Sequence, residues 1–324
     1  MDRMIDVQRL ISQNILIVIL GPTGSGKTDL SIKLADLIPT EIISADSRQI
    51  YRELDIGTAK PNSEQLKKVK HHFIDIINPD ENYNAGKFGK DARAVSLKIL
   101  SKNKLPLITG GSGLYIKSLC EGLFDDDMNE EERIRITRYR KDLEERLKDV
   151  GRESLYKELF LVDPISAEKY NDMNPRRLIR ALEYFYFHKI PISESHKKQN
   201  TDVPFEPIYF GIDFEREMLY KRINLRTELM WENGLVEETS QVLKSGYSAD
   251  LNSLNTVGYK EAIDYIEGKI SENEAIDLIK QNTRRYAKRQ MTWFRKNQNI
   301  NWINPNEIEP IEFIKNNFKN TYGI

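Results

Sequence analysis

Ile15-Leu-Ile-Val-Ile-Leu-Gly-Pro-Thr-Gly-Ser-Gly-Lys-Thr28 is the stretch that decides the fold. Its opening apolar run, 15–20, is too short to span a bilayer and has the length of a buried strand. The residues that follow, Gly21 to Thr28, fit the pattern G-x-x-x-x-G-K-[ST], and a helical pattern opens at Lys27. Gly21, Gly24 and Gly26 let backbone amides curl around an anion, with Pro22, Thr23 and Ser25 completing the loop. The helix starting near Lys27 aims its positive dipole end at the same point. Lys27 adds a full charge, and Thr28 adds a hydroxyl suited to Mg2+. Strand, loop and helix in this order argue against a chance glycine-rich turn and imply a ligand carrying a diphosphate.

Outward from this loop, short apolar runs alternate with helical patterns through the first 120 residues. Strands are expected at 41–44, 73–77 and 105–109, and helices at 27–37, 85–101 and 114–123. That alternation implies βαβ units and a parallel sheet covered on both faces. The character then changes. Helices are expected at 130–150, stopped by Gly151, and at 153–161 and 175–188, with Asp163-Pro164 and Pro175 as start or break signals. The segment 193–204 is polar and aperiodic and reads as a linker. Strand character returns at 208–212 and around Trp302, with helices at 215–233, 235–245, 259–268, 273–296 and 311–318. The expected fold is α/β: a P-loop NTPase-like parallel sheet flanked by helices, built from 1–123 and 205–324, with an all-helical insertion at 124–204.

Composition narrows the class. Hydrophobic residues make up 39% and charged residues 31%, which excludes collagenous and low-complexity chains. One cysteine, Cys120, excludes an internal disulfide and a cysteine-based zinc finger. No run approaches membrane length and no cleavage pattern follows the first strand, so a soluble cytoplasmic protein is expected. No heptad pattern is present, and a monomer is expected. The net charge of -1 is uninformative, but its distribution is not. Between 275 and 297, Lys280, Arg284, Arg285, Lys288, Arg289, Arg295 and Lys296 face one acid, Asp277, with Tyr286, Trp293 and Phe294 interleaved. Such a run is either a solvated face or a surface for phosphates, and the aromatics are either core or interface; core packing is expected for Trp293. His71-His72 lack zinc-site spacing and read as residues flanking a strand.

Further stretches carry a resemblance. Ser44-Ala-Asp-Ser-Arg-Gln-Ile-Tyr51 follows the second strand, and Asp55-Ile-Gly-Thr-Ala-Lys-Pro61 follows soon after. Leu107-Ile-Thr-Gly-Gly-Ser-Gly-Leu-Tyr115 closes the fourth strand. Asn174-Pro-Arg-Arg-Leu-Ile-Arg-Ala-Leu-Glu183, Thr256-Val-Gly-Tyr-Lys260 and 283–293 come later. Together these resemble the tRNA dimethylallyltransferases, also called tRNA isopentenyltransferases, in matching order over nearly the whole chain. Ending at Ile324 with one cysteine, the sequence resembles the short bacterial form without a C-terminal zinc finger. Ser112 stands where many members have threonine, and Arg48-Gln49 is a variable pair.

The resemblance implies transfer of a dimethylallyl group from dimethylallyl diphosphate to the N6 amine of the adenine 3′-adjacent to the anticodon. It implies tRNA, through its anticodon stem-loop, as partner, and Mg2+ held by Thr28 and diphosphate oxygens. It implies catalytic roles for Asp46, Ser112, Arg133 and Lys27, with Arg135 as the alternative arginine. It implies tRNA contacts by Asp46, Ser47, Arg48, Gln49, Arg176, Arg177, Arg180, Thr256, Gly258, Tyr259 and Lys260.

On the residues alone, Asp46 is either a helix cap or a general base, and Ser112 is either an N-cap or an active-site hydroxyl. Two other functions also stay open: a P-loop small-molecule kinase, and a non-catalytic RNA-binding or nucleotide-switch module. A Walker-B aspartate would end an apolar strand, whereas 105–109 ends in Gly110-Gly-Ser112 and Asp75 lies inside 73–77.

Overall fold

A computed structural model describes residues 6–122, 129–197 and 203–322. Residues 123–128 and the linker residues 198–202 lie outside the described residues. The chain divides into two compact units: Met1–Gly122 with Val203–Ile324, and Leu123–Asp202 between them.

The first unit is built on six strands: β1 (Ile15–Leu20), β2 (Thr40–Ser44), β3 (His71–His72), β4 (Leu105–Gly110), β5 (Glu206–Ile212) and β6 (Ile300–Ile303). They form one sheet in the order β3-β2-β4-β1-β5-β6, every pairing parallel. Parallel neighbours need crossovers, so helices must cover the faces and the strands are buried on both sides. β1 accordingly has six buried apolar residues. Its odd-numbered residues, Ile15, Ile17 and Ile19, join a core with Leu30 and Leu34 of the Lys27–Ala35 helix and Ile314 and Phe318 of the Pro310–Tyr322 helix. Helices Ala85–Leu100 and Gly113–Glu121 pack closely together: a Cβ at Gly89 would stand 2.2 Å from the Ser118 hydroxyl, and Phe88 stacks on Tyr115 at 4.5 Å.

The crossover order positions the site. From β1 the chain passes to β2, and β4 later fills the place between them. The register pairs Leu20 with Gly110 and Ser44 with Thr109, so the loops leaving β1, β4 and β2 emerge side by side. Such a switch point at the carboxyl ends of a parallel sheet is where α/β proteins bind ligands.

Three expectations are corrected. The expected strand 73–77 shrinks to His71–His72, because Phe73 (φ 65°) and Asp75 (φ 54°) take left-handed backbone that cannot continue a ladder. Asp75 lies outside β3 and is an ion-pair partner of Lys60, so it does not end a strand as a Walker-B aspartate would. The expected linker begins as the Ile192–Lys197 helix, tied down where the buried Asp163 carboxylate accepts the Ser193 N–H at 3.0 Å. Helices Val7–Ser12, Ser63–Lys68 and Pro164–Lys169 were not expected; six residues each is too short for a 3.6 period to show.

The second unit is helical. Glu130–Val162 starts with an Asn129–Glu132 capping box and breaks at Gly151 (φ 76°), which makes it two helices. It packs on Pro175–His188 through Leu143, Leu155, Leu159, Leu178 and Leu182. In that unit the fully buried Glu183 receives two hydrogen bonds from Arg140, at 2.7 and 2.8 Å, and one from Arg180 at 2.9 Å.

Candidate active site

The loops after β2 and β4 are joined backbone to backbone. Ala45 N–H donates to Thr109 C=O at 2.7 Å, and Ser112 N–H donates to Ala45 C=O at 3.2 Å. The approach is so close that a Cβ on Gly110 would stand 2.2 Å from the Ala45 carbonyl oxygen. Asp46 comes next and is half-buried. Its Oδ1 accepts the Arg48 N–H at 2.8 Å, forming a local turn; no helix follows it to be capped. Ser112 occupies the N-cap position of Gly113–Glu121 but makes no capping bond. Its Oγ accepts the Ser47 N–H at 3.1 Å instead. Hydrogen bonding also links Ser112 to Tyr286, whose hydroxyl is pushed up to about 12, chiefly by burial. Asp46 therefore caps no helix, Ser112 is an N-cap by position only, and the two residues share one corner.

The loop after β1 forms the adjoining wall. Gly24 and Gly26 take left-handed backbone, with φ 79° and 84°. Lys27 Nζ donates to Pro22 C=O at 2.7 Å across the loop. The Ser25 hydroxyl is buried with no hydrogen-bond partner among the described residues. A cavity of about 330 Å³ opens here, lined by Gly24, Gly26, Lys27, Thr28, Arg222 and Arg226, with one acid, Asp29, and with Leu225 and Leu229 alongside. Arg222 and Arg226 lie one turn apart on the Arg216–Glu232 helix, and Arg222 Nε donates to Gly24 C=O at 2.8 Å. Burial lowers Lys27 to about 7; repulsion from Arg226 adds to this, and Asp46 opposes it. Arg226 is likewise lowered by burial, opposed by Asp46. Two buried cations, both disfavoured by desolvation and one of them, Lys27, also by the other, lie next to an orphaned hydroxyl and make a cradle suited to an anion.

Metal fits only with help from such an anion. Among the described residues no group of three or more His, Cys, Asp or Glu could hold a metal ion. Thr28 lines the cavity directly after Lys27, and a phosphate-bound cation needs few protein ligands.

The other expected site residues fall in different settings. Arg48 Nη1 donates to Asn252 C=O at 2.5 Å. The Gln49 amide accepts from Ser44 Oγ at 2.9 Å and donates to Thr58 and Ala59 carbonyls at 3.3 and 3.2 Å. Lys260 is exposed and Thr256 partly so, but Gly258 and Tyr259 are buried. Tyr259 departs most from expectation. It is 0% exposed, its hydroxyl donates to Glu238 at 2.6 Å, and its ring fills the space where a Gly57 Cβ would be. Glu238 also accepts N–H bonds from Asp55, Ile56 and Gly57, at 3.0, 2.8 and 3.3 Å, so Tyr259 holds the 55–61 motif in place.

In the helical unit, Arg176 is exposed, Arg177 is 3.6 Å from Asp172, and Arg180 is bound to Glu183. Arg133 is exposed in the first turn of Glu130–Val162, and Arg135 lies over the Phe187 ring at 5.4 Å. On Glu272–Phe294, Lys280 is bound to Glu228 at 2.6 Å and Arg284 to Asn224 at 2.7 Å. Trp293 is not core: it is 41% exposed, with its ring against Gly113.

Arg222, Arg226 and Gln290 escape the sequence reading. The four-residue arginine spacing was visible, but no local signal says which structure that face meets.

Fold and site together define an α/β enzyme core in which the glycine-rich loop after β1 and a carboxylate after β2 emerge at one switch point of the sheet. Residues 49–297 match the family model described as IPP transferase. The chain is 44% identical over 314 residues to the tRNA dimethylallyltransferase of Acetivibrio thermocellus, covering 95% of this chain and 98% of that protein. It is 41% identical to that of Natranaerobius thermophilus, covering 94% and 92%. The crystal structure of the tRNA isopentenylpyrophosphate transferase of Bacillus halodurans aligns with a TM-score of 0.68 at 36% identity, over 96% of each chain. A eukaryotic dimethylallyltransferase, solved in crystallographic snapshots acting on tRNA, aligns with a TM-score of 0.75 at 26% identity, over 90% of this chain and 74% of that one. The chain belongs to the IPP transferase family.

Proposed function

We propose that this chain transfers a dimethylallyl group from dimethylallyl diphosphate to the N6 amine of the adenine 3′-adjacent to the anticodon in tRNA, releasing diphosphate. The observation that carries this reading is the convergence of the loops after β1 and β2: Asp46 acts electrostatically on both Lys27 and Arg226. An adenine amine is a weak nucleophile, because its lone pair is delocalised into the ring. Help is needed at both ends.

On the donor side the carbon–oxygen bond to diphosphate breaks and negative charge gathers on the leaving group. Loop amides, Lys27 and Arg226 stabilise that charge as it grows. Thr28 and diphosphate oxygens would hold Mg2+, which would supply further positive charge to the leaving group. On the acceptor side, nitrogen forms its bond to the dimethylallyl carbon and loses a proton. Asp46 takes that proton on Oδ2, since Oδ1 is engaged by the Arg48 N–H. Ser112 and Tyr286 line the same corner and orient the amine. The base leaves the anticodon stack first, at a cost of roughly a few kcal/mol. Arg176 and Arg177 of the helical unit and Lys260 then hold the RNA through its phosphates. Arg133, exposed on the helical unit, keeps the catalytic role that the resemblance implies, with Arg135 as the alternative. The protein works as a cytoplasmic monomer.

The test incubates labelled dimethylallyl diphosphate and Mg2+ with an unmodified anticodon stem-loop. Label on the RNA is expected. No transfer, with ATP-dependent phosphorylation of a metabolite instead, would support a kinase.

A further inference from the structure

Gln290 is 7% exposed on the Glu272–Phe294 helix, and its amide reaches two loops that carry opposite halves of the proposed chemistry. Its Oε1 accepts the Thr23 N–H of the diphosphate loop at 2.9 Å. Its Nε2 donates to the Gly111 carbonyl, beside Ser112, also at 2.9 Å. A Cβ on Gly111 would stand 2.3 Å from that Nε2, so a side chain there would push the amide aside. A carboxamide accepts at one end and donates at the other; an ionised glutamate only accepts, and methionine does neither to a useful degree.

We propose that Gln290 is a positioning residue that fixes the gap between the diphosphate loop and the loop carrying Ser112. It thereby sets the distance between the donor carbon and the acceptor amine, an inference that rests on the transfer reaction proposed above. Gln290 occupies the Thr23 amide, so the other loop amides, Lys27 and Arg226 are left to grip the anion. Losing the strut spares the grip on diphosphate and lengthens the reaction path. Reacting atoms must lie about 3–3.5 Å apart, and a misplacement of about 1 Å slows the step by about 100-fold.

The test measures single-turnover transfer at saturating donor and stem-loop, alongside the Kd of inorganic diphosphate and of the stem-loop. Gln290→Met and Gln290→Glu are expected to slow the single turnover by about 10–100-fold, with either Kd changing by less than about threefold. Gly111→Ala should reproduce that split, because its methyl displaces the same amide. The double variant should be no slower than the slower single variant, since both changes act through the same amide. Weakened diphosphate binding with an unchanged single-turnover rate would overturn the proposal, as would additive losses in the double variant. Should Gln290→Met not fold, the split between rate and affinity in Gly111→Ala decides alone. Wild-type protein that binds diphosphate but moves no label to RNA would overturn the transfer reading, and the strut with it. Slow transfer confined to the variants separates the two.

Discussion

Lys27 is held at about 7 by burial first and by Arg226 second, with Asp46 pulling the other way. Below that value the empty site carries the charge; above it the amine is neutral. A diphosphate favours the charged form, so binding draws a proton onto Lys27 in the window from about 7 up toward its ordinary 10.5. Calorimetry of inorganic diphosphate at pH 8, in buffers of different ionisation enthalpy, should show more proton uptake by wild type than by Lys27→Met. The difference should vanish well below pH 7; no difference at pH 8 would mean that Lys27 is charged when empty. In the proposed reaction Asp46 acts on the other reactant. Asp46→Ala is expected to lower turnover by about 100–10,000-fold while stem-loop affinity stays within a few-fold. Lost RNA binding with intact turnover at saturating RNA would remove Asp46 from the proton transfer.

At the scale of elements, strand β2 carries both the acceptor-side loop and a buried acid that anchors its start. Glu41 is 3% exposed and bonded to His72 at 2.8 Å and to Lys102 and Lys104 at 3.2 Å. Burial pushes its carboxyl up, but the hydrogen bonds outweigh that and hold it down to about 2. A depressed folded pKa means stability that is complete above about 4.5 and is lost as pH falls toward about 2. Glu41→Gln should therefore lose about 1–3 kcal/mol at pH 7 by denaturant unfolding, with the gap closing through that acid window. A gap independent of pH would assign the loss to packing. Elements were legible in proportion to their length. The Pro175–His188 helix has a proline start, an Asn174 cap and a long amphipathic face, and it was read to the residue. β3 was misplaced because an apolar run beside two histidines resembles a strand, while left-handed backbone at Phe73 and Asp75 carries no local signature.

At the scale of the molecule, the two units divide the proposed work, and their arginines are not equivalent. Arg177→Ala should weaken stem-loop binding and make the slope of log K against log salt shallower by about 0.7–0.9, with unfolding stability unchanged. An unchanged slope would mean that Arg177 meets no phosphate. Arg180→Ala should cost stability as well, because Glu183 is fully buried and would keep Arg140 alone.

The sequence by itself determined the phosphate loop, the α/β alternation and the helical insertion, and its later motifs pointed to the family. Those features depend on periodicity and residue type within a few neighbours. Only the tertiary structure decided that Asp46, Ser112 and Lys27 converge, since that follows from β4 entering the sheet between β1 and β2. It also decided that Tyr259 is an internal prop and that Arg222 and Arg226 face the loop. Thr23 and Gln290 meet across 267 positions, and Gln290 and Gly111 across 179. Such partnerships are set by the packing of whole elements, because the same amide on the same helix would be an ordinary surface residue if that helix faced the other way.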